Sequence, residues 1–131
     1  LNVALNGVEN GVIAVWGLSF KPGTDDIREA PALTLIDQLL ENGADIRVFD
    51  PIAIDRVRER YGDKIYYASS MVDAAKGADA AALVTEWKQF RLPDWQEIRN
   101  TMRGNVIVDG RNIYDPQEMF SYGFNYYSIG R

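Results

Sequence analysis

The chain has 131 residues, 47% of them hydrophobic and 25% charged, which is the size and composition of one globular domain with its own core. It contains no cysteine and no histidine, which excludes disulfides, thiolate or imidazole metal sites and cysteine- or histidine-based catalysis within it. The net charge of -5 argues against nucleic acid as a partner, and no apolar run reaches the roughly 18–20 residues of a membrane helix. We therefore expect a single domain over residues 1–131, cytoplasmic, without a metal and without a membrane partner.

The first half of the chain alternates between apolar runs and helical patterns. Val12 to Trp16 is a short apolar run closed by Gly17, which predicts a buried parallel strand. Apolar residues recur at helical spacing over 32–42, with Pro31 suited to the first turn and Gly43 to the end of the helix. The next predicted elements are a strand at 45–49, a charged helix at 52–60 and a short strand at 65–68.

The second half continues the alternation. Ser69 or Ser70 is predicted to cap a helix that runs through Lys76. The remaining predicted elements are a strand at 80–84, a helix from Asp94 onward, a strand at 106–108, a helix at 115–122 and a strand at 124–128. Such alternation favours right-handed βαβ crossovers. We therefore predict an α/β fold, a doubly wound and mostly parallel sheet of about six strands in a Rossmann-like three-layer sandwich.

In a sheet of this kind, ligands bind beyond the carboxyl ends of the strands, beside the first strand. This rule selects four loops, at 17–30, 50–51, 85–93 and 109–115. The first begins like a dinucleotide-binding fingerprint at Gly17 but lacks its second and third glycines. The turn around Phe20 instead supplies the ammonium of Lys21, which suits a phosphate; the alternative is an exposed loop lysine.

Two arginines stand out in these loops. Arg28 lies just before a helix, where the helix dipole favours acidic residues, and this indicates an anion or a partner domain. Arg111 follows the predicted fifth strand, and we expect it over the same crevice as Lys21, where an ammonium and a guanidinium together suit a diphosphate. The alternative is a surface arginine paired with Asp109 or Asp115.

Other polar and aromatic residues in these loops favour structural roles. Trp87 could stack on a ligand, but a half-buried packing tryptophan is the commoner case. Asp50 stands where a ribose-binding acid would be, yet before Pro51 it is more typical of a strand end or a helix cap. Asp25 and Asp26 alone make a poor metal cage.

Five segments resemble, in the same order, the signature of the UDP-glucose/GDP-mannose dehydrogenase family in its C-terminal, UDP-binding domain. The resemblance covers essentially the whole chain from about Gly11, and details in the third and fourth segments favour the UDP-glucose 6-dehydrogenase branch. The segments are Gly17 to Pro31, Val48-Phe49-Asp50-Pro51, Thr85-Glu86-Trp87, Val108-Asp109-Gly110-Arg111-Asn112 and Tyr126 to Arg131.

The resemblance implies that this domain is one of three parts, beside an NAD-binding Rossmann domain and a central helical dimerisation domain. Such enzymes serve polysaccharide biosynthesis by oxidising the C6 alcohol of UDP-glucose to UDP-glucuronate, reducing two NAD molecules. By similarity, Phe20, Lys21 and Arg111 bind the UDP-sugar, and Arg28 reaches the NAD held by the first domain. No catalytic residue is expected here, because the nucleophile of the family is a cysteine on the missing part. A homodimer or higher oligomer is expected for the full enzyme.

A different class of function remains open from the sequence. The chain could be a stand-alone Rossmann-like nucleotide-binding or regulatory module without catalysis. A receiver-type domain is disfavoured, because Ala68 and Ser69 stand where such a domain carries a phosphorylatable aspartate after its third strand.

Overall fold

The computed structural model describes residues 11–19, 27, 30–85, 87–90 and 93–128. Within them, six strands form one sheet in the order β3-β2-β1-β4-β5-β6, and every pair of neighbours is parallel. The predicted doubly wound α/β fold is confirmed, and the sheet is parallel throughout the described part. The strands are β1 (Val12–Trp16), β2 (Asp45–Phe49), β3 (Tyr66–Tyr67), β4 (Ala80–Leu83), β5 (Val106–Asp109) and β6 (Asn125–Ser128).

The helices of the described residues cover both faces of the sheet. They are α1 (Pro31–Glu41), α2 (Ile54–Tyr61), α3 (Met71–Ala75), α4 (Trp95–Thr101) and α5 (Pro116–Ser121), with 3-10 turns at Gly62–Lys64 and Lys88–Phe90. None of them combines the length and the apolar character that crossing a membrane requires.

The alternation of side chains along the strands divides the interior into two cores. In β1, Ile13 and Val15 pack with α1 and α2, whereas Ala14 and Trp16 pack with α3, α4 and α5. Because successive residues of a strand point to opposite faces, a strand that is apolar throughout is covered on both sides. The result is the predicted three-layer sandwich.

Helix starts follow the capping residues that the sequence offers. Ser70, rather than Ser69, caps α3, and its hydroxyl accepts the N–H of Asp73 at 3.0 Å. Asp94 caps α4 in the same way, and Asp115 caps α5, which also begins with a proline. These side chains satisfy N–H groups that have no partner within the helix.

Most predicted elements agree with the observed ones to within one residue at each end, and for two of the differences the contacts give the cause. The strand predicted at 65–68 is only Tyr66–Tyr67, because its ladder to β2 has two residue pairs. The helix predicted at 52–60 begins at Ile54, because the N–H groups of Ile52 and Ala53 are bound by the Asp50 side chain.

Candidate functional site at the carboxyl edge of the sheet

The four loops selected from the sequence begin side by side. The strand register places the last residues of four strands at one level: Phe49 of β2, Trp16 of β1, Leu83 of β4 and Asp109 of β5. Strands β2 and β3 lie on one side of β1, and β4, β5 and β6 lie on the other, so the crossovers change direction between β1 and β4. This is the switch point at which doubly wound sheets bind ligands. The structure therefore brings the predicted loops to one edge.

The loops after β1 and β4 are in direct contact. Gly17 has a φ of +92°, and a Cβ atom placed on it would lie 2.6 Å from the main-chain N of Thr85. The buried Thr85 hydroxyl donates to the carbonyl of Ser19 at 2.7 Å. Only glycine fits this conformation and this spacing without displacing β4.

Asp50 joins three of the loops through one buried carboxylate. The side chain of Asp50 is 2% exposed. Its Oδ2 accepts the N–H of Leu18 at 2.8 Å and the indole N–H of Trp87 at 3.2 Å. Its Oδ1 accepts the N–H groups of Ile52 and Ala53 at 2.9 and 2.8 Å. Four donors compensate the loss of water around the carboxylate, so the loops after β1, β2 and β4 are held as a unit.

These contacts bear on two of the sequence interpretations. Asp50 is the strand-end residue that the sequence favoured, but it does not cap α2, which begins without a side-chain cap. Its bonds to Leu18 and Trp87 were not predicted. Trp87 is half-buried and packs against the core formed with α3, α4 and α5. Its indole N–H is already used by Asp50, which favours the packing role over stacking on a ligand.

Asp109 organises the loop after β5 in a similar way. This residue is fully buried. Its Oδ1 accepts the N–H of Arg111 at 2.9 Å, and its Oδ2 accepts the N–H groups of Ile113 and Tyr114 at 2.8 and 2.9 Å. A fourth donor is the hydroxyl of Tyr126 on β6, 2.7 Å from Oδ2. The loop is thus wrapped around the carboxylate on which it begins.

Arg111 projects from this anchored loop as an exposed residue. Its main-chain N–H binds Asp109, while Asp115 accepts the N–H of Gln117 at the start of α5. A guanidinium carries several donors in a rigid fork, so an arginine at this edge, on the loop after the strand next to β4, suits an anionic ligand.

Tyr114 connects the loop of Arg111 to the region after β4. Its hydroxyl donates to the carbonyl of Phe90 at 2.7 Å. Burial raises the pKa of Tyr114 far above its usual value, and the negative charge of Asp109 and the neighbouring Tyr126 raise it further. Tyr114 therefore stays neutral and remains a hydrogen-bond donor at any physiological pH.

Three of the predicted binding residues, Phe20, Lys21 and Arg28, lie outside the described residues, as do Asp25 and Asp26. The convergence of Lys21 and Arg111 on one crevice therefore stays a prediction. Among the residues that are described, no group of three or more acidic side chains could hold a metal ion. The role of Tyr126 was missed, because no periodicity marks its contact with a carboxylate on another strand.

Known proteins match this chain over most of its length. Residues 14–116 match the family model described as "UDP-glucose/GDP-mannose dehydrogenase family, UDP binding domain". The chain is 52% identical over 124 residues to a UDP-glucose 6-dehydrogenase of Pseudomonas aeruginosa, covering 91% of the chain and 27% of that protein. It is 42% identical over 130 residues to a UDP-glucose 6-dehydrogenase of Bacillus subtilis, covering 97% of the chain and 29% of that protein.

Solved structures agree with the sequence relatives. The fold superposes on a UDP-glucose dehydrogenase of the archaeon Pyrobaculum islandicum with a TM-score of 0.79 and 31% identity, covering 98% of this chain and 27% of the other. The chain thus spans between a quarter and a third of the length of the relatives it matches.

Proposed function

Because the chain belongs to the UDP-glucose/GDP-mannose dehydrogenase family, in the part that the family model describes as the UDP binding domain, we propose that it binds the substrate of an NAD-dependent UDP-glucose 6-dehydrogenase. The whole enzyme would oxidise the C6 alcohol of UDP-glucose to UDP-glucuronate. The observation that carries the proposal is the position of Arg111, exposed at the carboxyl edge of the sheet, one strand from the switch point, on a loop anchored by Asp109.

The physical argument concerns the diphosphate. UDP brings negative charge to a chain whose net charge is already -5, so binding depends on local cations. Arg111 supplies a forked donor, and it stands on a loop whose conformation is fixed before any ligand arrives. A side chain carried by an ordered loop costs less conformational entropy on binding than one whose loop must be ordered as well.

The first loop would complete the site. By family resemblance, Lys21 contributes a second cation near the diphosphate and Phe20 an apolar contact to the UDP-sugar. Arg28 would face outward to the NAD carried by another domain. These three assignments rest on the family signature in the sequence, and the contact between Gly17 and Thr85 supports them by fixing where this loop leaves the sheet.

The remaining parts of the reaction would lie elsewhere. Residues 1–131 form one UDP-sugar-binding domain in this proposal, and the relatives are three to four times as long as the matched region. NAD, the nucleophilic cysteine and the contacts of a homodimer or higher oligomer belong to the other domains of a cytoplasmic enzyme. We expect the 131-residue chain, which has no cysteine, to produce no NADH from UDP-glucose and NAD.

Calorimetric titration of the chain with UDP tests the proposal. We expect binding that weakens with added salt, and Arg111→Ala or Lys21→Ala should raise the Kd for UDP about 10- to 100-fold, the equivalent of one charge-assisted hydrogen bond. Arg58→Ala is the matched control, since Arg58 is exposed on α2 beside Asp55 and should not affect the Kd. The absence of binding at millimolar UDP, or equal weakening by the control, would contradict the proposal.

A further inference from the structure

Tyr126 is placed to act on the candidate site from a distance. It lies on β6, outside the loop that carries Arg111, and its partly buried hydroxyl donates to Oδ2 of Asp109 at 2.7 Å, with the Tyr114 carbonyl of the same loop as a second, longer contact at 3.2 Å. The same oxygen accepts the N–H groups of Ile113 and Tyr114. Asp109 therefore connects an edge strand of the sheet to three main-chain positions of the Arg111 loop.

The loop contains one residue with a left-handed backbone. Asn112, next to Arg111, has a φ of 58°, in the left-handed region that only a few residue types other than glycine tolerate. Such a conformation persists when its surroundings hold it. The three N–H bonds to Asp109 stabilise this loop conformation, and they are strong only while the buried carboxylate itself is fixed. Of the four donors described for Asp109, only the Tyr126 hydroxyl comes from outside the loop at 109–115.

We infer that Tyr126 is a positioning residue for UDP binding, which fixes Arg111 through Asp109 without contacting the ligand. The inference rests on the proposed function of Arg111. Loss of the hydroxyl removes one of the four described donors from a buried carboxylate and loosens the loop that Asp109 organises. The consequence for the ligand is a less well-placed guanidinium rather than a lost contact.

The ligand-free protein tests the anchoring. Tyr126→Phe keeps the ring and removes only the hydroxyl. Tyr127→Phe is the matched control, because Tyr127 is the next residue of the same strand, is 41% exposed, and accepts only an amide N–H of Asn125 among the contacts described for its hydroxyl. By NMR hydrogen exchange, we expect the amide protons of Arg111, Ile113 and Tyr114 to exchange about three- to tenfold faster in Tyr126→Phe. Unchanged exchange at these amides would overturn the inference.

Titration with UDP tests the consequence for binding. Tyr126→Phe should raise the Kd for UDP about three- to tenfold in the wild-type background and not at all in an Arg111→Ala background. Tyr127→Phe should leave the Kd unchanged in both. A loss of affinity that is the same with and without Arg111 would overturn the positioning role and leave the proposed function standing.

A separate outcome identifies failure of the proposed function itself. If exchange accelerates in Tyr126→Phe, but Arg111→Ala binds UDP as tightly as the wild type, the assignment of Arg111 fails. The role of Tyr126 in UDP binding is then overturned with it, although the anchoring of the loop by Asp109 stands.

Discussion

Replacing Gly17 by alanine probes the closest approach of two loops at the candidate site. A Cβ atom at this position would lie 2.6 Å from both the Cβ and the main-chain N of Thr85, and 2.9 Å from its Cα. None of these three atoms can be moved by rotating the Thr85 side chain. The ends of β1 and β4 would have to separate, and with them the bond from the Thr85 hydroxyl to Ser19.

The expected cost has two parts. A left-handed backbone, such as the φ of +92° at Gly17, costs an alanine about 1–2 kcal/mol. Overpacking of a buried position costs about 1–3 kcal/mol. The sum, about 2–5 kcal/mol, is a large share of the roughly 5–15 kcal/mol that holds a typical domain folded. For a domain of this size it corresponds to a fall in Tm of about 6–20 °C.

Circular dichroism during heating and urea denaturation measures the loss. Gly77→Ala is the matched control, since Gly77 has a φ of +71° and its Cβ would meet nothing within 4 Å. This variant should lose only the conformational part, about 1–2 kcal/mol. Equal losses in the two variants would refute the reasoning, because the contact with Thr85 would then contribute nothing.

Two further predictions concern the stability of the domain. The Arg103 guanidinium that hydrogen-bonds Asp79 holds the pKa of that carboxyl below its usual value against the opposing effect of burial, and the Val12 N–H adds to the lowering. A lowered folded-state pKa adds stability at a pH above the unfolded value of about 3.9, and this stability is lost as the pH falls through the folded value. Asp79→Asn should therefore be less stable than the wild type at pH 7, and the gap between their urea midpoints should close toward pH 3. A gap that does not change with pH would contradict this. Ser70→Ala should lower the unfolding free energy by about 1 kcal/mol, because it removes the cap of α3. Ser69→Ala should lower it distinctly less. The reverse order in urea denaturation would show that the cap is misassigned.

The order of elements was predictable because it depends on local signals. Apolar runs such as Val12 to Trp16 fix the strands, and single residues such as Asp94 fix helix starts. The predicted bounds were wrong where a hydrogen bond from another strand or from a side chain, rather than the residue pattern, sets them. Strand β3 is short because β2 pairs with only two of its residues, and α2 starts late because Asp50 has taken the preceding N–H groups.

The location of the candidate site was predictable from the sequence, but the hydrogen bonds that shape it were not. The rule for doubly wound sheets selects the loop of Arg111 from strand order alone. The carboxylate that shapes this loop receives its donors partly from β6, and the bond between Asp109 and Tyr126 depends on how two strands lie in space. Similarly, nothing local to Asp50 indicates its bond to Trp87. Hydrogen bonds between side chains of different loops have no periodicity that a sequence can display.

The central place of β1 has a consequence for how the chain acquires its fold. Val12 pairs with Asp45, and Ile13 pairs with Ala80, so both neighbours of β1 are distant along the chain. Parallel pairing over such separations closes long loops before it gains contacts, which places folding toward the slow end for a small domain. At synthesis rates of roughly 5–20 residues per second, β1 would wait several seconds on the ribosome for β4. During that interval the edge of β1 that β4 later covers would stay unpaired, which favours aggregation.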